Sequence, residues 1–158
     1  MQDSGTLEKN SIKAINGLNA LEVPIWLTQQ YTRGLGPTIE PVRRLIPDDK
    51  HLEKIAFSCC GEPRFMELLT NQSRKTILLL GIESHVCVLQ TAIDLQEAGW
   101  APVVVEDCTS SRKPGDKKVA MHRLMAEGIR TTTYESLLFE LCRRADSQVF
   151  KVISKIVK

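Results

Sequence analysis

The residue best placed for covalent chemistry in this sequence is Cys87. The continuous apolar run from Thr76 to Ile82 predicts a buried parallel strand, and the pattern from about Ser84 to Ala98 predicts a helix. Cys87 would then lie in the first helical turn, where unpaired backbone N–H groups and the positive end of the helix dipole favour a reactive thiolate. The same N–H groups could bind a developing oxyanion. The alternative is a buried core thiol, which is the usual fate of a free cysteine.

The elements that must position Cys87 alternate between helix and strand. Apolar periodicity predicts helices over Leu7 to Leu21, Pro63 to Thr70, Asp116 to Glu127 and Tyr134 to Cys142, in addition to the one that carries Cys87. It predicts further strands over Val23 to Thr28, Lys54 to Cys59, Pro102 to Val105 and Ile129 to Thr133. Loops are predicted over much of Arg33 to Lys50 and from Asp107 to Gly115. This order predicts a single α/β domain over residues 1–158, with a three-layer α/β/α architecture and a mostly parallel sheet.

Composition narrows the classes of function. The net charge is only +2 and aromatic residues make up 5% of the chain, so we expect no nucleic-acid partner. Five cysteines without regular spacing argue against a disulfide framework and favour a reduced, cytoplasmic setting. The polar N-terminal residues predict no signal peptide, and no apolar run approaches membrane length, so we expect no membrane partner.

Several separated stretches together resemble the isochorismatase-like cysteine hydrolases. The run from Gly81 to Asp94, Gly-Ile-Glu-Ser-His-Val-Cys-Val-Leu-Gln-Thr-Ala-Ile-Asp, looks like the nucleophile motif of that family. The other matching stretches, in the family's order, are Leu21 to Thr38, Lys54 to Ser58, Asp107 to Arg112 and Thr132 to Ser136. Within that family, the sequence is most similar to the subgroup of isochorismatase domain-containing proteins. This subgroup includes proteins labelled as a mitochondria-associated ribonuclease.

The resemblance implies a Cys-Lys-Asp triad that works without a metal or other cofactor. Cys87 would attack a carbonyl or related carbon and form a covalent intermediate, while Lys54 would hold the thiolate and the acid in place. The acid would act as the general base. The backbone N–H groups of Glu83 and Cys87 would form the oxyanion hole, and the peptide bond between Ile82 and Glu83 would be cis. His85 lies two residues before Cys87, on a different helix face, so we do not expect it to be the base.

The acid of the implied triad has no evident counterpart. The family's acid follows an apolar strand near the N-terminus, in a pattern that would place it immediately before Met1 and leave Asp3 in a loop. That strand is central to the family's sheet, so its absence would leave parallel edges unpaired. Three interpretations are open: further residues precede Met1, the chain is a true truncation without a triad, or Asp3 or Glu8 supplies a substitute acid.

A metal site is not expected either. Nicotinamidases of this superfamily carry an Asp-x-His metal site at the place where this chain has Gln29, Gln30 and Tyr31, which include no carboxylate and no histidine. His51 and His122 are interpreted as ordinary surface residues.

The leading hypothesis is a metal-free cysteine hydrolase that acts on a small amide or related small-molecule substrate. The alternative is a catalytically inactive family member that serves as an oligomeric binding or scaffold protein. Ribonuclease activity is a weaker idea that rests only on the label of relatives. We also expect a homo-oligomer, with the amphipathic segment Val149 to Val157 or the loop around Arg33 to Pro41 buried between subunits.

Overall fold

The computed structural model describes residues 4–158, in which helices cover both faces of parallel strands, and the predicted three-layer α/β/α architecture is confirmed. The helices are α1 (Ser4–Ala20), α2 (Thr32–Leu35), α3 (Glu40–Arg43), α4 (Pro63–Thr70), α5 (Leu89–Glu97), α6 (Pro114–Ala126), α7 (Tyr134–Cys142) and α8 (Phe150–Val157). The strands are β1 (Leu27–Gln30), β2 (His51–Lys54), β3 (Thr76–Ile82), β4 (Ala101–Ser110) and β5 (Arg130–Thr132). Two 3₁₀ turns (Asp48–Lys50 and Cys59–Gly61) and one π-helical turn (Ser84–Val88) complete the described elements.

The strands form two separate parallel ladders. β1 pairs with β2, with Gln30 opposite Lys54 at the carboxyl end of the pair. β3, β4 and β5 form the second ladder in that order. Within residues 4–158 no strand joins the two ladders, so β3 pairs on one side only, with β4. The edge strand β3 is only half-buried over residues 77–81, whereas residues 102–105 of β4 are buried.

Three apolar clusters hold the helices against the strands. The first lies between α1, α7, α8 and β4, and its buried members are Ala14, Leu18, Val105, Cys108, Tyr134, Leu137, Leu138, Cys142 and Ile153. The second and third clusters lie on the other face, under α4, α5 and α6. The buried members of the second cluster are Val88, Leu89, Ala92, Val104, Ala120, Met121, Leu124 and Ile129. The buried members of the third cluster are Leu52, Phe65, Leu69, Leu95 and Trp100. Successive β4 residues alternate between the faces, because strand side chains point to opposite sides of a sheet.

The two predicted strands before α4 are displaced along the sequence. β1 begins at Leu27 rather than Val23, where Pro24 could not donate a ladder hydrogen bond. β2 ends at Lys54, so the prediction of a strand from Lys54 to Cys59 is wrong. The chain turns there because the Lys54 ammonium donates to the carbonyls of Ala56 and Phe57, which folds the following residues back over its side chain.

The predicted loop from Asp107 to Gly115 is also wrong over its first half. β4 continues to Ser110, and Thr109 and Ser110 pair with Gly81 and Ile82 of β3. These polar residues are buried, so burial of their backbone in the ladder outweighs their preference for loops.

The segments expected at a subunit interface behave differently from one another. α8 uses its apolar side within the chain, since Ile153 is fully buried against α1 and α7. The loop around Arg33 to Pro41 contains the short helix α2, and Leu35 and Ile39 are exposed there. Val152 of α8 is also exposed, so the oligomer stays a prediction in which either segment could lie between subunits. The interpretation of His51 as a surface residue is wrong, because its ring is largely covered and its Nε2 lies 3.0 Å from the Ile46 carbonyl. His122 is exposed, as expected.

Candidate active site

Cys87 lies in the tight turn that follows β3. β3 ends at Ile82, the Ile82–Glu83 peptide bond is cis, and the π-helical turn from Ser84 to Val88 leads directly into α5. The Glu83 carbonyl accepts the N–H groups of both Val86 and Val88, which fixes the width of this turn. Cys87 is half-buried, so its thiol has partial access to solvent, and the first-turn position expected from the sequence is observed.

Two side-chain links fasten this turn to the end of β4. The Glu83 carboxylate accepts from the backbone N–H of Arg112 at 3.1 Å and from its Nε at 3.0 Å. His85 Nδ1 lies 2.9 Å from the hydroxyl of the buried Ser111, and His85 Nε2 lies 3.8 Å from a carboxylate oxygen of Asp116 on α6. These contacts tie the turn that precedes Cys87 to the end of β4 and to α6, and the expectation that His85 is not the base stays a prediction.

Lys54 is buried at the carboxyl end of β2. Its side chain reaches three acceptors, Gln30 Oε1 at 2.6 Å and the carbonyls of Ala56 and Phe57 at 2.9 and 2.8 Å. All three acceptors are neutral. Within residues 4–158, no carboxylate forms an ion pair with Lys54, and Cys87 is not among the hydrogen-bond partners of Lys54. An ammonium with saturated hydrogen bonds but no counter-charge still carries a desolvation cost.

The two ladders meet through the residues that follow Lys54 and Cys87. The backbone N–H of Cys59, five residues after Lys54, donates to the hydroxyl of Thr91, which lies one helical turn beyond Cys87. The Cys59 thiol also lies 3.6 Å from the hydroxyl of Thr28 on β1. Lys54 is the last residue of its strand and Cys87 lies in the turn after its strand, so both are at carboxyl ends of parallel strands, where sites in parallel sheets form.

Two features of the site lack an expected partner. The hydroxyl of Ser84 is fully buried and has no hydrogen-bond partner in the described part of the chain, and Lys54 has no carboxylate there. Glu8, one candidate for a substitute acid, lies in α1 and makes no ion pair with Lys54. Asp3, the other, lies outside the described residues.

Two of the other cysteines, Cys60 and Cys108, lie in surroundings that disfavour the thiolate. Burial raises the pKa of the Cys60 thiol to about 11, with Asp94 and Cys59 contributing in the same direction. Burial also raises the pKa of Cys108 well above its usual range, and Asp107 adds to the effect. Both thiols are therefore protonated at neutral pH, which disfavours nucleophilic attack by either.

Gln30 is the site residue that sequence reasoning missed. Gln30 is the middle residue of the segment Gln29-Gln30-Tyr31, and its Oε1 accepts from Lys54 while its Nε2 donates to the Ile55 carbonyl at 2.6 Å. Among residues 4–158 no group of three or more His, Cys, Asp or Glu side chains is arranged to hold a metal ion. The contact between Gln30 and Lys54 follows from the register of β1 on β2, which places the two residues opposite each other. A single sequence does not show that register.

A surface cavity of about 290 Å³ lies along α6, away from these residues. It is lined by Glu106, Pro114, Lys117, Lys118, Met121, His122 and Met125. Lys117 is held there by the carbonyls of Glu106 and Thr109, so its ammonium stabilises the end of β4. None of its lining residues belongs to the strand ends that carry Cys87 and Lys54.

Fold and site together define an α/β domain with a cysteine on the strand-to-helix turn and a buried lysine at the end of a neighbouring ladder. The isochorismatase domain family matches residues 3–136, and the chain belongs to this family of hydrolases. It is 40% identical over 139 residues to isochorismatase domain-containing protein 2A of Mus musculus, with 87% of this chain and 66% of that protein covered. It is 37% identical over 148 residues to the secreted isochorismatase effector Isc1 of Phytophthora sojae, with 91% and 70% covered.

The solved structure of MAR1 ribonuclease from Caenorhabditis elegans superposes with a TM-score of 0.92 at 31% identity. The alignment covers 99% of this chain and 80% of that one, so a fifth of the longer chain has no counterpart here. In the described residues, no helix has the length and apolar character needed to cross a membrane.

Proposed function

We propose that this protein is a metal-free cysteine hydrolase that acts on a small amide or related substrate through a covalent intermediate on Cys87. The observation that carries the proposal is the half-buried thiol in the first turn after β3. That position, at the start of the helical segment that follows a parallel strand, is one where the sites of open parallel sheets form.

The reaction would proceed in two steps. The Cys87 thiolate attacks the carbonyl carbon, and the carbonyl oxygen becomes an oxyanion bound by the backbone N–H groups of Glu83 and Cys87. The amine leaves with a proton from a general acid, and water then hydrolyses the thioester, releasing the acid product and the thiol. Lys54 would stabilise the negative charges of the site through its ammonium group.

A specific observation favours the alternative, an inactive member that serves as an oligomeric binding or scaffold protein. Lys54 donates only to neutral acceptors, and among residues 4–158 no carboxylate forms an ion pair with it that could serve as the acid of the triad. Hydrolysis without a general base would be slow, because proton transfer typically contributes 10²–10⁴-fold to the rate. Ribonuclease activity, the name given to the C. elegans protein, finds little support in a net charge of +2.

The test is hydrolysis of a panel of small primary amides and activated esters, with and without a metal chelator. The proposal expects turnover that the chelator leaves unchanged and that Cys87→Ala removes. No turnover of any panel member by protein that is folded and oligomeric would favour the scaffold.

A further inference from the structure

We propose that the surface cavity along α6 binds a small monocarboxylate whose body is apolar. The site is separate from the hydrolase chemistry, because none of the lining residues belongs to the strand ends that carry Cys87 and Lys54. Three features of the cavity support the proposal: its size, a wall that contains two methionines, and an excess of lysine over acid around it.

One side of α6 forms most of the cavity wall. The lining residues of this helix recur at intervals of three and four positions from Pro114 to Met125, so their side chains share one helix face. Glu106 of β4 completes the lining. The cavity volume of about 290 Å³ lies near the lower end of the range for small-molecule sites, roughly 300–1,000 Å³. The cavity therefore suits a small molecule and not a segment of another protein.

The two methionines supply the apolar part of the wall. Met121 is only 4% exposed and belongs to the second apolar cluster, so the core holds it in place. Met125 lies one helical turn further on and is 53% exposed. Methionine side chains adapt to the shape of what they contact. An apolar ligand body would remove the Met125 side chain from water, which stabilises the complex.

The charged groups around the cavity favour an anion. The Lys117 ammonium donates to the carbonyls of Glu106 and Thr109 at 2.8 and 2.9 Å, which leaves its third N–H for a ligand. Lys118 is exposed, and in the described part of the chain neither lysine forms an ion pair. Among the lining residues, the Glu106 carboxylate stands alone against these two lysines. A ligand carboxylate would therefore gain from the excess of positive charge.

The experiment titrates hexanoate into the intact protein at constant ionic strength and follows isotope-labelled methionine methyl groups by NMR. The chain has four methionines. Met66 packs in the third apolar cluster, under α4, and serves as an internal control for binding elsewhere. Hexanamide, which lacks the charge, and acetate, which lacks the apolar body, are the matched control ligands.

We expect the methyl signals of Met121 and Met125 to shift until they saturate, with Met66 unchanged. Hexanamide should bind about fivefold more weakly than hexanoate, because an exposed charge interaction contributes up to about 1 kcal/mol. Acetate should bind at least about tenfold more weakly, because it buries no methylene groups.

Two charge variants test the electrostatic argument in opposite directions. Lys118→Met should raise the Kd for hexanoate about fivefold, and Glu106→Gln should lower the Kd about threefold, because a repelling carboxylate is removed. Cys87→Ala should bind hexanoate with an unchanged Kd, because the cavity is separate from that residue. Circular dichroism checks that each variant is folded.

Unchanged signals of Met121 and Met125 at saturating hexanoate would overturn the proposal. Equal binding of hexanamide, or an unchanged Kd in the Lys118→Met protein, would show that no carboxylate is recognised. Equal binding of acetate would reduce the site to exposed lysines and would also overturn the proposal. A Met125 shift that depends on protein concentration alone would assign this face to a second copy of the chain instead.

Discussion

The ladder of β3, β4 and β5 and the ladder of β1 and β2 each carry one candidate catalytic residue, but they hold it in different ways. Cys87 follows a strand backed by the buried β4, and the links from Glu83 to Arg112 and from His85 to Ser111 fasten its turn. Lys54 is held by Gln30 and by carbonyls two and three residues further along its own chain. Cys87 is therefore positioned by contacts with distant parts of the chain, whereas Lys54 is positioned mainly by the loop that follows it.

The largest expected effect is a loss of hydrolytic activity from a change at Cys87, which follows the better-packed ladder of β3, β4 and β5. Cys87→Ala should lower hydrolysis by at least about 10³-fold, because the covalent route is removed. The fold should be retained, since one small half-buried side chain is lost. Cys60→Ala is the matched control and should keep most of the activity, which can be measured with the same ester substrate. Equal loss in both variants would mean that the change disturbs the structure and not the chemistry.

Lys54→Met should lower kcat by about 10²-fold, because a cation at the reacting centre is replaced by an apolar group of similar length. Lys50→Met, at a lysine that is 44% exposed, is the control and should leave kcat unchanged. Steady-state kinetics measures the loss of kcat, and circular dichroism shows whether the variant is still folded. If both variants kept full activity, Lys54 would be a structural residue only.

Thiol labelling against pH compares the cysteines of the two regions directly. The raised pKa of Cys60, about 11, leaves about 100-fold less thiolate at pH 8 than its ordinary value of 9.0 would. Labelling of Cys60 should therefore stay slow at pH 8 and rise as the pH passes through about 11. Peptide mapping after iodoacetamide should find Cys87 modified first at pH 8. Modification of Cys60 at an equal rate would show that burial does not protect it.

The smallest expected effect concerns local stability. Backbone amides of β1 should exchange at least about tenfold faster than those of residues 103–105 in β4, because β1 belongs to a two-stranded, half-exposed ladder. Native-state hydrogen exchange read out by mass spectrometry measures the difference. Equal protection would indicate that the two ladders unfold as one unit.

The better-packed region was also the easier one to predict from the sequence. The apolar run of β3 and the helix after it gave correct bounds, because a buried parallel strand needs continuous apolar residues and Gly99 ends the helical segment. The end of β4 was missed, because Thr109 and Ser110 are polar residues that pair with β3 in the interior. Nothing in their own pattern indicates that burial.

The other region was predicted less well because its structure depends on pairing and on single hydrogen bonds. The sequence pattern predicts Lys54 at the start of a strand, whereas Lys54 ends β2 and its ammonium group binds carbonyls of the turn that follows. The sequence shows only that the segment Gln29-Gln30-Tyr31 holds no carboxylate or histidine, since the register of Gln30 opposite Lys54 exists only once β1 and β2 have paired. The resemblance to the family supplied Lys54 as a candidate, and local pattern alone would not have distinguished it from other lysines.

The most direct test of the account is to trap the covalent intermediate. The protein is mixed with an activated acetyl ester and quenched in acid during turnover, and the acetylated peptide is identified by mass spectrometry. We expect one acetyl group on the peptide that contains Cys87, formed and lost at rates that match turnover, and none in Cys87→Ala. Acetylation confined to another cysteine, or turnover that continues unchanged in Cys87→Ala, would contradict the assignment of Cys87 as the nucleophile.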